Sequence, residues 1–521
     1  MNSARVQVTV CFLICILLIG IMQHWSGATA AGFTAYPDEA SHYLGGLMVR
    51  DYLRTGSMAP RPFAVNYYLH LPFFAIGYWP PLFYIAEGLW MSVFGYGRGQ
   101  VLLFLAVIGA LIATTIFAVA RDRLGTAGAF CCAMLFLVIP DVLANNFDVM
   151  TDTAVALFSL WSVLALARYF KEATYRNAIL FGVFASCTIM TKYSGGFLVL
   201  LPPFGLLLGR RWDLLRRGSF WIQPVVVAIL CGPWTVYTKE FVNTGYASYI
   251  KASMFIEVLS YIKLWSVEFG LVLSILLFGA WIYQAVGLAK ADSLTQLLWI
   301  HPVAVLLFQS IAPVGVETRY LVPALAPLVL LLAFSLARLP KWYAPALLAM
   351  TVAGYSAVSL PQSRREPDGV RCVVEAIIAN PNIKQSLIYV PADEEGLMIA
   401  EFAMQDSKRP IRILARPNKL LAAMDWNGND YVSDYQRPED LQRYFEENPP
   451  DLVILHPRPA KLQFPHERLL ETTVRQNSAC WKLAIQTCGH DVYQFIGTRK
   501  PGDRGMTPGF RHRIGRRFEV Q

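Results

Sequence analysis

Four short segments of this 521-residue sequence place reactive side chains beside apolar runs. Tyr36-Pro37-Asp38-Glu39-Ala40-Ser41-His42-Tyr43 sets two carboxylates side by side, and NNFDVMTDTA carries Asp148 and Asp152 four residues apart. MTKYSGG carries Lys192, and PVGVETRYLVP carries Glu317, Arg319 and Tyr320. A carboxylate can take the proton of a hydroxyl, while cations and phenols can hold a departing anion. Adjacent carboxylates with a histidine close by, His42 here, can also ligate a divalent cation. Each segment has a plainer use as well. An aspartate at 148 or 152 can cap a helix, and Lys192 can extend its stem to a membrane surface. Arg319 can pair with Glu317, and a lone histidine is often a hydrogen-bonded structural residue.

The elements that must position these groups are apolar helices. The chain is 55% hydrophobic, only 16% charged, and has a mean hydropathy of +0.41, against roughly 25% charge in soluble domains. Residues 6–23 are nearly long enough to cross a bilayer. Ala28-Thr29-Ala30 imitates a signal-peptide cleavage site, but the many apolar segments that follow favour a retained first helix. Further apolar stretches lie near 100–120, 127–141, 153–167, 177–191, 194–209, 219–237, 266–288, 294–313, 320–337 and 342–360, which gives about eleven spans. A shorter run, Pro80 to Gly95, opens on two prolines and contains Glu87, and counting it as a span would invert everything after it.

Positive charges decide the orientation. With Pro80 to Gly95 lying along the interface, the clusters Arg121/Arg123, Arg168/Lys171/Arg176, Arg210/Arg211/Arg216/Arg217, Lys290 and Arg338/Lys341 all fall in cytoplasmic loops. The expected membrane module is residues 1–360, with a cytoplasmic N-terminus and a first external loop, 24–99, containing juxtamembrane helices. The formal charge of +9 then reflects topology, and nucleic acid is excluded as a partner. All four reactive segments fall on the external side, where charge at the membrane edge is costly unless paired or used.

Beyond the polar stretch PQSRREPDG the pattern changes. SLIYV, EEGLMIAEFAMQ, IRILA and DLVILHP read as alternating strands and helix, and WKLAIQ and VYQFIG as a strand pair. A small external α/β domain is expected over 361–500, then a basic, disordered tail over 501–521. Six of the nine cysteines lie in apolar segments as buried small hydrophobes; Cys480 and Cys488 flank one strand and are candidates for a disulfide.

The order PDEASHY, WPPLFY, TDTAVALF, MTKYSGG, GPW and ETRYLVPALAP resembles the superfamily that contains protein O-mannosyltransferases, lipid A aminoarabinose transferases and lipopolysaccharide-core galacturonosyltransferases, enzymes of the GT-C fold. The similarity covers roughly residues 6–340. It implies a membrane glycosyltransferase that moves a hexose or pentose from a polyprenyl-phosphate donor to a lipid, glycan or protein acceptor on the extracytoplasmic face of the cell membrane, the inner membrane in a Gram-negative cell. It further implies Asp38 as the catalytic carboxylate with Glu39 beside it, and Asp152 as the second-loop aspartate, with Asp148 as the fallback. Lys192, Arg319 and Tyr320 are expected to hold the donor phosphate, and no metal or other cofactor is expected. One departure stands out: where the superfamily often carries lysine before the paired prolines, this chain has Trp79. Two other readings compete, a transporter or flippase for a lipid-linked sugar and a non-catalytic family member. A transporter would more often show mid-membrane charges and paired halves, and no internal repeat is present.

Overall fold

The computed structural model describes residues 3–33, 37–56, 58–74, 77–246, 253–312, 315–340, 342–366, 369–381, 383, 385–406, 412–424, 430–498, 511 and 513. The expectation for the tail, 501–521, therefore lies outside the described residues except at Arg511 and Arg513. The chain divides into two compact units. One comprises Met1–Thr29, Gly77–Trp90 and Gly99–Arg365, the other Ala30–Ile76, Met91–Arg98 and Glu366–Gln521.

The first unit is a polytopic helical membrane module, and each of the eleven apolar stretches read from the sequence coincides with a helix in it. Among the described residues, seven helices are long and apolar enough to cross a membrane: Ala4–Trp25, Arg98–Val138, Asp152–Lys171, Gly218–Lys239, Ser293–Ile311, Thr318–Leu336 and Tyr343–Gln362. The 41-residue Arg98–Val138 segment is two helices, broken where Gly125 adopts φ 71° and ψ 177°, a conformation that glycine takes without steric cost. Tyr175–Thr191, Tyr193–Gly209 and Gly270–Ala285 supply the remaining stretches. Leu82–Phe94 has only 13 residues, so it extends about 20 Å and falls short of a hydrocarbon core of about 30 Å.

Burial sorts these helices into centre and periphery. Thr318–Leu336 is 89% buried along its apolar window, whereas Ala4–Trp25, Gly218–Lys239 and Tyr343–Gln362 are each 22% buried. The outer helices leave Leu13, Leu17, Ile229, Val236 and Met350 uncovered, an apolar surface that lipid, rather than water, would solvate. Near one end of the module, Trp281 and Trp299 stack with ring centroids 4.8 Å apart. Each indole N–H donates to the other residue's carbonyl, at 3.1 and 3.0 Å, locking Gly270–Ala285 against Ser293–Ile311.

The second unit is built on a sheet of strands β1 (Leu387–Tyr389), β2 (Ile413–Ala415), β5 (Leu452–Leu455), β6 (Trp481–Thr487) and β7 (His490–Phe495), in the order β2-β1-β5-β7-β6; β3 (Ala422–Ala423) and β4 (Val432–Ser433) pair separately. The first three strands run parallel and are buried along their whole length, as continuous apolar runs require. The β6–β7 hairpin turns on Cys488 and Gly489, at φ 51° and 79°, the positive pair that a two-residue type I′ turn demands.

Two first-loop helices, Pro37–Thr55 and Pro60–His70, belong to this unit. Helix Glu395–Gln405 packs on Pro37–Thr55. Arg416 joins the loop to the sheet domain: it pairs with Glu395 at 2.5 Å, donates to the Pro72 carbonyl at 3.0 Å and lies 4.6 Å from the centre of the Phe73 ring. Phe73 lies so close to Gly396 that a Cβ there would clash with the ring.

The disulfide differs from the sequence expectation. Cys488 pairs with Cys372, Cα atoms 6.2 Å apart, and Cys480 is a free thiol. Strand β6 separates Cys480 from Cys488 by eight residues of extended chain, on the order of 26 Å, far beyond the reach of one S–S bond. The bond ties helix Gly369–Ile378 to the hairpin turn across 116 residues.

Two predictions follow for this unit. Replacing Cys372 and Cys488 together by serine should lower its stability by roughly 2–5 kcal/mol, read as a lower unfolding temperature, with no such change for Cys480→Ser. His466 is fully buried, its Nδ1 bonded to the Tyr431 hydroxyl at 3.1 Å, and burial lowers its pKa to about 4. The folded state thus favours the neutral ring. Stability should be complete above the ordinary histidine pKa near 6.5 and decline as the pH falls toward 4, by up to about 3 kcal/mol. His466→Phe should remove that component from the pH profile of thermal unfolding.

Candidate active site

In the membrane module the reactive groups gather at helix ends. Helix Asp152–Lys171 begins with Asp152, and Tyr175–Thr191 ends just before Lys192, whose extended backbone (φ −157°) closes the helix. These two helices are neighbours, and the Lys192 ammonium donates to Asp152 Oδ1 at 2.7 Å, with only 12% and 3% of the two side chains exposed. Asp152 Oδ2 has no hydrogen-bond partner among the described residues.

The opposing wall comes from the short 3-10 turn Thr318–Leu321 that leads into helix Val322–Leu336. Arg319 pairs with Glu317 at 2.6 Å and lies 3.3 Å from the Tyr320 hydroxyl, while its guanidinium carbon is 5.0 Å from the Tyr320 ring centre. The Lys192 ammonium lies 4.7 Å from the same ring, within cation–π range. Tyr320 is buried. Two cations from distant parts of the chain therefore meet one aromatic ring, and Asp152 neutralises one of them. Thr318 donates to Asp141 Oδ1 at 3.1 Å, which anchors the turn to the short helix Pro140–Phe147.

Asp148 and Asp152 do not share a helix face. Asp148 is the extended residue that follows helix Pro140–Phe147, and its carboxylate receives Arg365 at 2.6 and 2.7 Å. Proline 140 starts that helix early enough for it to end at Asp148, four residues before the next one begins.

In the second unit, Asp38 and Glu39 occupy the first turn of helix Pro37–Thr55, where the helix dipole favours negative charge. Their environments differ. Asp38 is half-buried, whereas Glu39 is completely buried and paired with Arg98 at 2.8 Å. Arg98 is itself 2% exposed and lies 5.2 Å from the Phe33 ring centre. Glu39 is thereby committed to holding the helix start. His42 is buried one turn beyond Asp38. Trp79, at the position where the superfamily often carries lysine, is half-buried in the membrane module.

Sequence reasoning missed Arg98, Asp141 and Arg365. Arg98 had a readable signal: on the expected topology it is a basic residue in the external loop 24–99, the side that positive charge avoids, and such a residue needs a carboxylate. Asp141 and Arg365 had none, since their partners are 177 and 217 residues away.

The family model described as dolichyl-phosphate-mannose-protein mannosyltransferase matches residues 79–237. No curated protein sequence matches the chain. Among solved structures, the chain is similar to ArnT from Cupriavidus metallidurans in the apo state, with a TM-score of 0.61 and 14% identity over 94% of this chain and 98% of that one. The same protein bound to undecaprenyl phosphate gives a TM-score of 0.63 at 14% identity, covering 95% and 99%. An oligosaccharyltransferase from Archaeoglobus fulgidus gives 0.50 at 12% identity, covering 85% of this chain and 68% of that one.

Removing one member of the buried Lys192–Asp152 pair strands the other charge, at a cost of roughly 3–5 kcal/mol. Lys192→Met should therefore lower the unfolding temperature of the detergent-solubilised protein markedly. The double variant Lys192→Met/Asp152→Asn should recover most of the loss, and thermal unfolding of the three proteins checks this.

Proposed function

The chain has the GT-C fold, and from that premise we propose that it is a membrane glycosyltransferase that moves a sugar from a polyprenyl-phosphate donor to an acceptor hydroxyl on the extracytoplasmic face. The observation that carries this reading is the convergence of Lys192 and Arg319 on Tyr320. Two cations and a phenol are the groups that a departing phosphate needs. The likeness to ArnT bound to undecaprenyl phosphate supports a lipid-linked donor by analogy of fold. The Cys372–Cys488 bond supports an oxidising, external location for the second unit, and with it a cytoplasmic N-terminus.

In the proposed reaction the acceptor oxygen attacks the anomeric carbon from the face opposite the phosphate. Its proton passes to the Asp38 carboxylate, the bond between the anomeric carbon and the phosphate oxygen breaks, and the electron pair leaves with the phosphate. One displacement inverts the anomeric centre and needs a single base. Lys192, Arg319 and Tyr320 receive the growing charge on the phosphate. Asp152 holds the Lys192 ammonium in place, and Glu39, fixed by Arg98, sets the start of the helix that presents Asp38. The chemistry assigned to these residues is complete without a metal ion.

A flippase would use the same cations to guide an intact donor. The half-buried carboxylate of Asp38 at a helix start favours proton transfer instead, and mutation separates the two. With radiolabelled polyprenyl-phosphate sugars and a membrane extract as acceptor source, Asp38→Asn should lower transfer by at least about 100-fold while still binding polyprenyl phosphate. Arg319→Ala should weaken that binding. Full transfer activity in Asp38→Asn would remove the base from the proposal, and a wild type inactive with every donor would remove the transferase.

A further inference from the structure

The carboxyl ends of the parallel strands β1 and β5 carry a group of side chains that the transfer reaction does not use. From β1 the chain crosses to β2 on one side, and from β5 it proceeds toward β6 and β7 on the other. The gap between the two strands is thus a topological switch point, the place where open α/β sheets bind ligands. Asp393 and Glu394 follow β1, His456 and Arg458 follow β5, and His490 opens β7. The register that pairs Leu455 with Asp491 brings His456 opposite His490, and their rings stack with centroids 5.0 Å apart.

The two imidazoles of this group face acceptors. His490 has only 2% of its side chain exposed; its Nδ1 lies 2.9 Å from the Cys488 carbonyl oxygen and its Nε2 2.7 Å from Glu394 Oε2. Both neighbours only accept, and a neutral imidazole carries one N–H. Neutral, the ring can serve only one of them; protonated, it serves both. His456 Nδ1 likewise faces acceptors, Asp393 Oδ2 at 2.8 Å and Glu394 Oε1 at 3.3 Å. Arg458 neutralises part of the site by pairing with Asp393 at 3.0 Å and Glu467 at 2.9 Å. Asp393, Glu394 and Glu467 thus gather around one guanidinium and two imidazoles.

A divalent cation can take the place of the protons that these rings share with the carboxylates. One ligand atom each from Glu394, His456 and His490 lies within 4.8 Å of the others, the one such trio among the described residues. Two ligand atoms on a tetrahedral zinc ion stand about 3.3 Å apart, so small side-chain shifts suffice. The Nδ1 contact to the Cys488 carbonyl is the outer support that fixes a zinc-binding tautomer. We propose that Glu394, His456 and His490 bind one zinc ion, with Asp393 and Arg458 as outer partners, and that this ion clamps the ends of β1 and β5 to the hairpin closed by the disulfide. This site is independent of the transferase reading.

The test uses the full-length protein, purified in detergent through a tag without histidine, stripped with a chelator and titrated with zinc. The wild type should take up one equivalent, measured by mass spectrometry of the metal, and unfold at a higher temperature as zinc is added. Cobalt should give visible absorption bands in the same stoichiometry. His456→Gln, altered at the more exposed ligand, and Glu394→Gln should each bind at least tenfold more weakly, whereas His42→Gln should bind like the wild type. Absence of zinc uptake by the wild type would overturn the proposal without reference to any variant, and so would equal affinity in His456→Gln.

Discussion

A charge buried in a helical membrane module is costly unless it is paired, and the Lys192–Asp152 bond at 2.7 Å is where this chain meets that constraint. The pair joins the start of one helix to the end of the next, and both side chains are largely buried. Bond and packing therefore support each other. Because Asp152 compensates the ammonium, Lys192 can remain charged beside the buried ring of Tyr320. Arg319, balanced by Glu317, does the same from another helix. The module thus holds two positive charges ready beside one phenol, with their desolvation already offset by carboxylates.

The second unit solves a related problem. Helix Pro37–Thr55 begins with two carboxylates, and the buried Glu39–Arg98 pair fixes its start. Helix Glu395–Gln405 supports it along its length, and the Arg416 contacts hold the following loop. The C-terminal sheet domain, for which the sequence suggested no role, is therefore structural support for the helix that carries Asp38. The Cys372–Cys488 bond, tying helix Gly369–Ile378 to the β6–β7 turn, stiffens that support.

Much of the fold was legible because its signals are local. Apolar runs marked the long helices of the membrane module, but not Pro140–Phe147 or most of Met254–Glu268, and the strand patterns of SLIYV, IRILA and DLVILHP became β1, β2 and β5. Turn chemistry was legible in principle, since Cys488-Gly489 takes the conformation that a tight hairpin needs. Partnerships were not. Cys488 lay eight residues from Cys480 but bonded with Cys372, because an extended strand carries its ends apart. Asp148 lay four residues from Asp152 but ended a different helix and paired with Arg365. The pairing of Glu39 with Arg98 came from the structure alone.

Transfer and transport differ in one event: in transfer a bond in the donor breaks, whereas in transport an intact donor moves. A donor labelled with tritium in the polyprenyl chain and carbon-14 in the sugar tests this directly in proteoliposomes supplied with acceptor extract. A transferase releases free polyprenyl phosphate in equal amount with the carbon-14 that appears on the acceptor. If both labels instead cross the membrane together in intact donor, with no polyprenyl phosphate released, the chain transports its lipid and is not a transferase.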